Sequence, residues 1–258
     1  MAWSATQYSL FENERTRAVR DLLAAVPPRP IRQATDLGCG PGNSTEVLLQ
    51  QSGDAQVTAL DSDPDMIEKA RERPRLKVPR VRCEIADIAH WSAVVPQDLI
   101  LANASLQWVP DHGDLYPHLV RQLSDGGSLA VQTPDNLDEP AHRRMREIAS
   151  QGPWAAKFAD FSLPPRHNGA FYYDLLSPLC TRVDVWRTTY HHPLEGGAQA
   201  VVEWFKGSGL RPYLARLEEG EREDFLQLYL QAMEQDYPTA SDGKVLLPFP
   251  RLFVVATR

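Results

Sequence analysis

From residue 15 to about residue 132 the chain alternates short apolar runs with amphipathic stretches, the alternation of βα units that predicts a mostly parallel sheet. Arg15, Ala18, Val19, Leu22 and Leu23 follow the i, i+3, i+4, i+7, i+8 spacing of one helix face, and Pro27 and Pro28 stop that helix. Strands are predicted over 33–37, 56–60, 81–85, 98–102 and 128–132. Helices fall between them at 44–51, 64–71 and 114–123.

After Thr133 and Pro134 the alternation breaks. The pattern predicts helices over 139–150 and 170–176, an extended β-branched stretch over 183–190, and a closing strand over 253–257. About 60 residues separate those last two strands, far more than a hairpin loop needs. They hold two more helices, the second with an apolar face of Phe225, Leu228, Tyr229, Ala232 and Met233. The segments at about 135–168 and 191–250 are expected to form a helical cap over one edge of the sheet, within a single domain spanning 1–258.

With 258 residues and 43% apolar side chains the chain supports the core of one large domain, which excludes disorder. No run approaches the roughly 18 apolar residues of a membrane span. The formal charge is -7 and neither half is basic, which argues against a phosphate-backbone binder and requires a local site for any anionic ligand. No nucleic-acid, membrane or obligatory protein partner is expected. Cys39, Cys83 and Cys180 are odd in number and far apart, and Met1 to Ser4 lack the blocks of a secretory signal. A reduced, cytoplasmic protein follows. Metal-site spacing of Cys and His is missing, so no metal is expected. The basic run 71–82 reads as a solvated connection.

The most specific stretch is Thr35 to Ser44, TDLGCGPGNS, at the end of the first strand. Its glycines permit a sharp turn and close approach of a ligand to the backbone. A dinucleotide fingerprint, Gly-x-Gly-x-x-Gly, would need glycine where Asn43 stands. Instead Gly38, Gly40 and Gly42 alternate, and Asp36 ahead of them is placed to meet a cation through the loop. Asp61, ending the second strand, suits two ribose hydroxyls. Asp87 and Ile88, after the third strand, offer a carboxylate to an exocyclic amine and an N–H to a ring nitrogen. Together they describe a nucleoside with a cationic amino-acid tail.

In order and type these residues resemble the class I S-adenosylmethionine-dependent methyltransferases. The resemblance implies a Rossmann-like α/β fold, a seven-stranded mostly parallel sheet with its last strand antiparallel, and S-adenosyl-L-methionine as cofactor. By that resemblance Gly38, Gly40 and Gly42 border the methionine part, Asp61 with Ser62 the ribose, and Asp87 with Ile88 the adenine. Asn103 would lie near the amino-acid group or the transferring methyl. Four later stretches, LILANASLQW at 99–108, QTPDN at 132–136, WRTTY at 186–190 and FPRLF at 249–253, resemble the trans-aconitate 2-methyltransferase family and extend the likeness over nearly the whole chain. This implies methyl esterification of a carboxylate of trans-aconitate, a small tricarboxylate, giving a monomethyl ester and S-adenosylhomocysteine. The alternatives are a class I methyltransferase acting on another small molecule, a dehydrogenase using NAD on the same βαβ core, and a catalytically silent nucleoside-binding protein.

A carboxylic acid with a pKa near 4 is already ionised at pH 7, so no catalytic general base is expected. The opposite charges of sulfonium and carboxylate both fade in the transition state, which favours a dry site with cationic clamps on the carboxylates that do not react. The candidate clamps are His142 and Arg146, at i and i+4 on the helix after Pro134, and Arg211, which precedes Pro212 at a helix boundary in the cap. Trp108, Tyr172 and Tyr173 either wall the pocket or pack in the core. Trp3 and Tyr8 either close over the cofactor or belong to a loose N-terminal segment. At Cys39 the backbone matters more than the thiol, and the acidic run 218–224 suits a helix N-terminus.

Overall fold

The computed structural model describes residues 12–164 and 166–258. Its first helix, α1 (Glu12–Ala24), leads into β1 (Gln33–Leu37), α2 (Asn43–Gln51), β2 (Gln56–Asp61), α3 (Pro64–Glu72), β3 (Val81–Ile85) and β4 (Gln97–Asn103). Helix α4 (His112–Arg121) and β5 (Leu123–Pro134) complete the alternating part. Then follow α5 (Pro140–Gln151), α6 (Gly169–Leu176), β6 (Arg182–Leu194), α7 (Gly197–Lys206), α8 (Arg211–Leu214), α9 (Glu219–Asp236) and β7 (Val245–Thr257). Trp3 and Tyr8 lie outside the described residues.

The seven strands form one sheet in the order β3-β2-β1-β4-β5-β7-β6. The first five run parallel, while β7 is antiparallel to both β5 and β6. Helices cover both faces, so the central strands are apolar almost throughout. Alternation within β4 shows how the faces divide: Leu99 and Leu101 pack with Ala18 and Leu22 of α1 and Val47 and Leu48 of α2. Ile100 and Ala102 point the other way, onto Leu115 and Leu119 of α4 and Leu176 of α6. Chain order reverses between β1 and β4, and a crevice opens at the carboxyl ends of strands flanking such a reversal.

The expected cap boundaries at 191 and 250 are corrected by the two last strands, which pair continuously from Arg182↔Thr257 to Leu194↔Val245. Beyond Pro134↔Arg251, where β5 ends, β7 continues against β6 alone among the strands of the sheet, with one isolated bridge from Val245 to Thr239. Pro193, Pro248 and Pro250 lie in this projecting ribbon, where proline's missing N–H is tolerated at an edge. The ribbon carries Leu194, Leu247 and Phe249 into a second core with Met145 of α5, Trp204 and Phe205 of α7, and Phe225 and Tyr229 of α9. Three helices, not two, connect these strands among the described residues, the extra one being the short α8. On α9 the buried stripe is Phe225, Tyr229 and Met233, whereas Leu228 is 44% exposed and faces away from it. Among the described residues no helix is long and apolar enough to cross a membrane.

Candidate active site

The loop after β1 turns through three glycines in the left-handed region, Gly38 (φ 73°), Gly40 (φ 54°) and Gly42 (φ 93°). They serve different ends. A Cβ on Gly38 would stand 2.3 Å from the Cβ of Ser105, whose hydroxyl donates to the Leu37 carbonyl at 2.6 Å. At Gly42 it would meet the Leu76 side chain at 2.9 Å. Of the three, Gly40 is the one with nothing within 4 Å of that position among the described residues. Gly38 and Gly40 border a cleft of about 810 Å³, and Gly42 is turned toward α3 instead.

Asp36 does not reach this cleft. Its side chain is fully buried, with Oδ2 accepting from the Ser44 and Thr45 hydroxyls at 2.7 Å each. Burial raises its pKa to about 6, against the opposing effect of those two bonds. The expectation that Asp36 meets the cofactor is therefore corrected: it pins the first turn of α2 to β1. Asp61 does line the cleft, while accepting the Gly40 N–H at 2.9 Å on Oδ2 and the Asp63 N–H at 3.0 Å on Oδ1. Burial pushes its pKa upward.

Ser62, Asp87 and Ile88 continue the wall. The Asp87 carboxylate accepts the Ala89 N–H at 2.9 Å and contacts His90 Nδ1 at 2.7 Å, which lowers its pKa. Asn103, ending β4, also lines the cleft, and its buried Oδ1 has no hydrogen-bond partner among the described residues. Ser208, between α7 and α8, and Arg211, at the start of α8, also line the cleft.

A second chamber of about 90 Å³ adjoins the cleft, sharing Asn103, Ala104, Trp108 and Ser208 with it. His142, Gln107, Asn136 and two arginines that periodicity did not single out, Arg166 and Arg251, surround it. His142 is buried and its pKa falls to about 3, first through desolvation and then through the charges of Arg146 and Arg166. It is neutral at pH 7, and its Nδ1 has no partner among the described residues.

Two expected substrate contacts are corrected. Arg146 is exposed on α5 and lines neither space, because the buried arc of that helix runs through Ala141, Met145 and Ala149 with His142 at its margin. Tyr173 is 52% exposed, and the buried ring is Tyr172, whose hydroxyl meets His112 Nδ1 at 2.7 Å. Trp108 lines both spaces, and Arg211 lines the larger one.

Residues 34–127 match the family model of a methyltransferase domain. The chain is 51% identical to the trans-aconitate 2-methyltransferase of Rhizobium etli, over the full length of both chains. Among solved structures, the YcgJ protein of Bacillus subtilis superposes with a TM-score of 0.59 at 13% identity, covering 94% of this chain and 98% of that one. Phosphoethanolamine N-methyltransferase 2 of Haemonchus contortus, in complex with S-adenosyl-L-methionine, gives a TM-score of 0.55 at 15% identity, covering 93% of this chain and 52% of that one. At such low identity these two speak to the fold alone. Half the residues shared along the entire length speak to more: the chain belongs to the trans-aconitate 2-methyltransferase family.

Proposed function

We propose that this protein transfers a methyl group from S-adenosyl-L-methionine to a carboxylate of trans-aconitate, giving a monomethyl ester and S-adenosylhomocysteine. The observation that supports this most is the junction of two unlike spaces, an acid-lined cleft and a cation-lined chamber, at Asn103, Ala104, Trp108 and Ser208. The whole chain is read as one methyltransferase domain, its projecting ribbon and later helices forming the cap. Cytoplasmic residence agrees with three free thiols, Cys39, Cys83 and Cys180.

The cleft fits the cofactor. Open space at Gly40 admits close approach of a ligand to the loop, and Asp61 presents a carboxylate to the ribose hydroxyls. Asp87 and Ile88 suit the adenine, and the unpartnered Asn103 Oδ1 suits the ammonium of the amino-acid tail. When bound, S-adenosyl-L-methionine supplies an electrophilic methyl: the acceptor oxygen bonds to it as the carbon–sulfur bond breaks, and the electron pair stays on sulfur.

No proton moves in that exchange, so the chain's work is to position, desolvate and hold. Neutral His142 does not compete as a cation for the reacting oxygen. Trp108 walls both spaces where they meet, and aligned reactants in such sites gain up to roughly 7 to 11 kcal/mol from proximity. Initial rates with S-adenosyl-L-methionine and a panel of trans-aconitate, cis-aconitate, citrate and crotonate test the reading. The expected result is the highest kcat/KM for trans-aconitate; a higher value for any other member would reassign the acceptor.

A further inference from the structure

The second chamber has a composition that the methyl-transfer chemistry alone does not require. Among the described residues lining it none is acidic, yet two guanidiniums reach it from different elements. Arg251, on β7, is 3% exposed; its NH1 donates to Gln132 Oε1 at 2.7 Å, and its guanidinium carbon lies 4.8 Å from the centre of the Phe249 ring. Arg166, ahead of α6, donates from NH1 to the Gln107 carbonyl at 2.5 Å and lies 5.9 Å from the Trp108 ring. Its buried Nε has no hydrogen-bond partner among the described residues. The charge of Asp135 does act on Arg166, but that carboxylate lies outside the chamber and is held by Arg187 at 2.6 Å.

Buried cations are costly unless an anion or several acceptors offset their desolvation. Here both guanidiniums are fixed by neighbouring groups, one against Gln132 and Phe249 and the other against Gln107 and Trp108, and so are preorganised at the chamber wall. His142 adds an unused Nδ1 from a third element, α5. Arg211 stands apart in the larger cleft, and exposed Arg146 is absent from the chamber wall.

We propose that Arg166 and Arg251 bind the two carboxylates of the acceptor that are not methylated, with His142 as a neutral third contact, so that this chamber selects acceptors carrying further carboxylates beside the reacting one. The assignment rests on the acceptor reading above. An acceptor held there by two groups presents its third carboxylate at Asn103 and Ala104, where the chamber meets the cofactor cleft. Bidentate donation from a guanidinium matches a carboxylate in a way that a lysine ammonium does not.

Calorimetry of trans-aconitate binding to the S-adenosylhomocysteine complex, with steady-state kinetics on trans-aconitate and crotonate, tests the assignment. In Arg166→Gln and, separately, Arg251→Gln, the Kd and KM for trans-aconitate should rise about 30-fold or more, with the affinity for S-adenosylhomocysteine unchanged within about twofold. The preference for trans-aconitate over crotonate should narrow by a similar factor, which a loss of general structure would not produce. Should Arg251→Gln fail to fold, Arg251→Lys retains the charge without the fork and should show a weaker form of the same selective loss. A folded Arg166→Gln protein with wild-type Kd for trans-aconitate would overturn the clamp while leaving the methyltransferase reading intact. Failure of the wild-type complex itself to bind trans-aconitate would instead overturn the acceptor reading.

Discussion

Asp36 and Asp61 are both acids on neighbouring strands around one loop, and burial separates their roles. Asp61 faces the cleft while holding two backbone N–H groups, so Asp61→Ala removes charge-assisted bonds and loosens the loop together. Bonds of that kind are worth about 1.5 to 3 kcal/mol, and calorimetry should show S-adenosylhomocysteine binding weakened by at least about tenfold. Asp36 acts on stability. Its folded pKa of about 6 exceeds the unfolded value near 3.9, so between those pH values the folded state binds more protons. The stabilising protonated form is present below pH 4 and lost by about pH 6, lowering stability by up to about 3 kcal/mol as pH rises. His142 acts in the opposite sense: with a folded pKa of about 3, its contribution is present above its unfolded pKa near 6.5 and lost as pH falls. Denaturant titrations should therefore show Asp36→Asn gaining stability relative to wild type from pH 4 to pH 6.5. A constant difference would mean that Asp36 does not titrate in that window. The burial of Asp36 was legible in principle: strand periodicity puts it on the face of Ala34, which α2 covers. Arg166 left no such trace, because it sits in an irregular segment where spacing predicts no facing.

Elements differ in how much of their placement periodicity reveals. The glycine loop was identified from composition and position, but only packing distinguishes its members. Gly38→Ala would force a Cβ into Ser105 and should cost at least about 3 kcal/mol of stability, read as a fall in Tm. Gly40→Ala meets no atom of the described residues and should cost only the left-handed strain of about 1 to 2 kcal/mol. Its methyl would nevertheless stand in the cleft, weakening S-adenosylhomocysteine binding by about tenfold or more, which calorimetry would report. If Gly40→Ala binds normally, the cofactor does not approach this part of the loop. On α5 the i, i+4 rule joined His142 and Arg146, yet four residues advance slightly more than one full turn, and Arg146 rotates off the buried arc. Arg146→Ala should therefore leave kcat/KM for trans-aconitate within about twofold, as surface substitutions do. The ribbon of β6 and β7 escaped full detection for a different reason. Prolines that normally end strands are accommodated where β5 no longer pairs, so the extension depends on sheet order, which local patterns do not contain.

At the scale of the molecule, a sheet with its crevice at the strand ends presents an acid-lined cleft, and the helices joined to it by the long ribbon add a cationic chamber to a chain of net charge -7. The sheet and its acid motifs follow from alternation and resemblance because each strand and loop is locally encoded. The chamber is assembled from β7, α5, α7 and the segment before α6, and so emerges only in three dimensions. The proposed methyl transfer moves no proton, and His142 stays neutral far above its pKa. With chemistry rate-limiting, kcat should be flat from about pH 6.5 to 9; a steep rise through neutrality would reveal a required base. Methyl transfer to trans-aconitate is read out by incubating the wild-type protein with methyl-labelled S-adenosyl-L-methionine and trans-aconitate and identifying the labelled product. The expected product is a single base-labile methyl ester of trans-aconitate formed in equal amount with S-adenosylhomocysteine. Protein that binds S-adenosylhomocysteine yet transfers no label to trans-aconitate would contradict it.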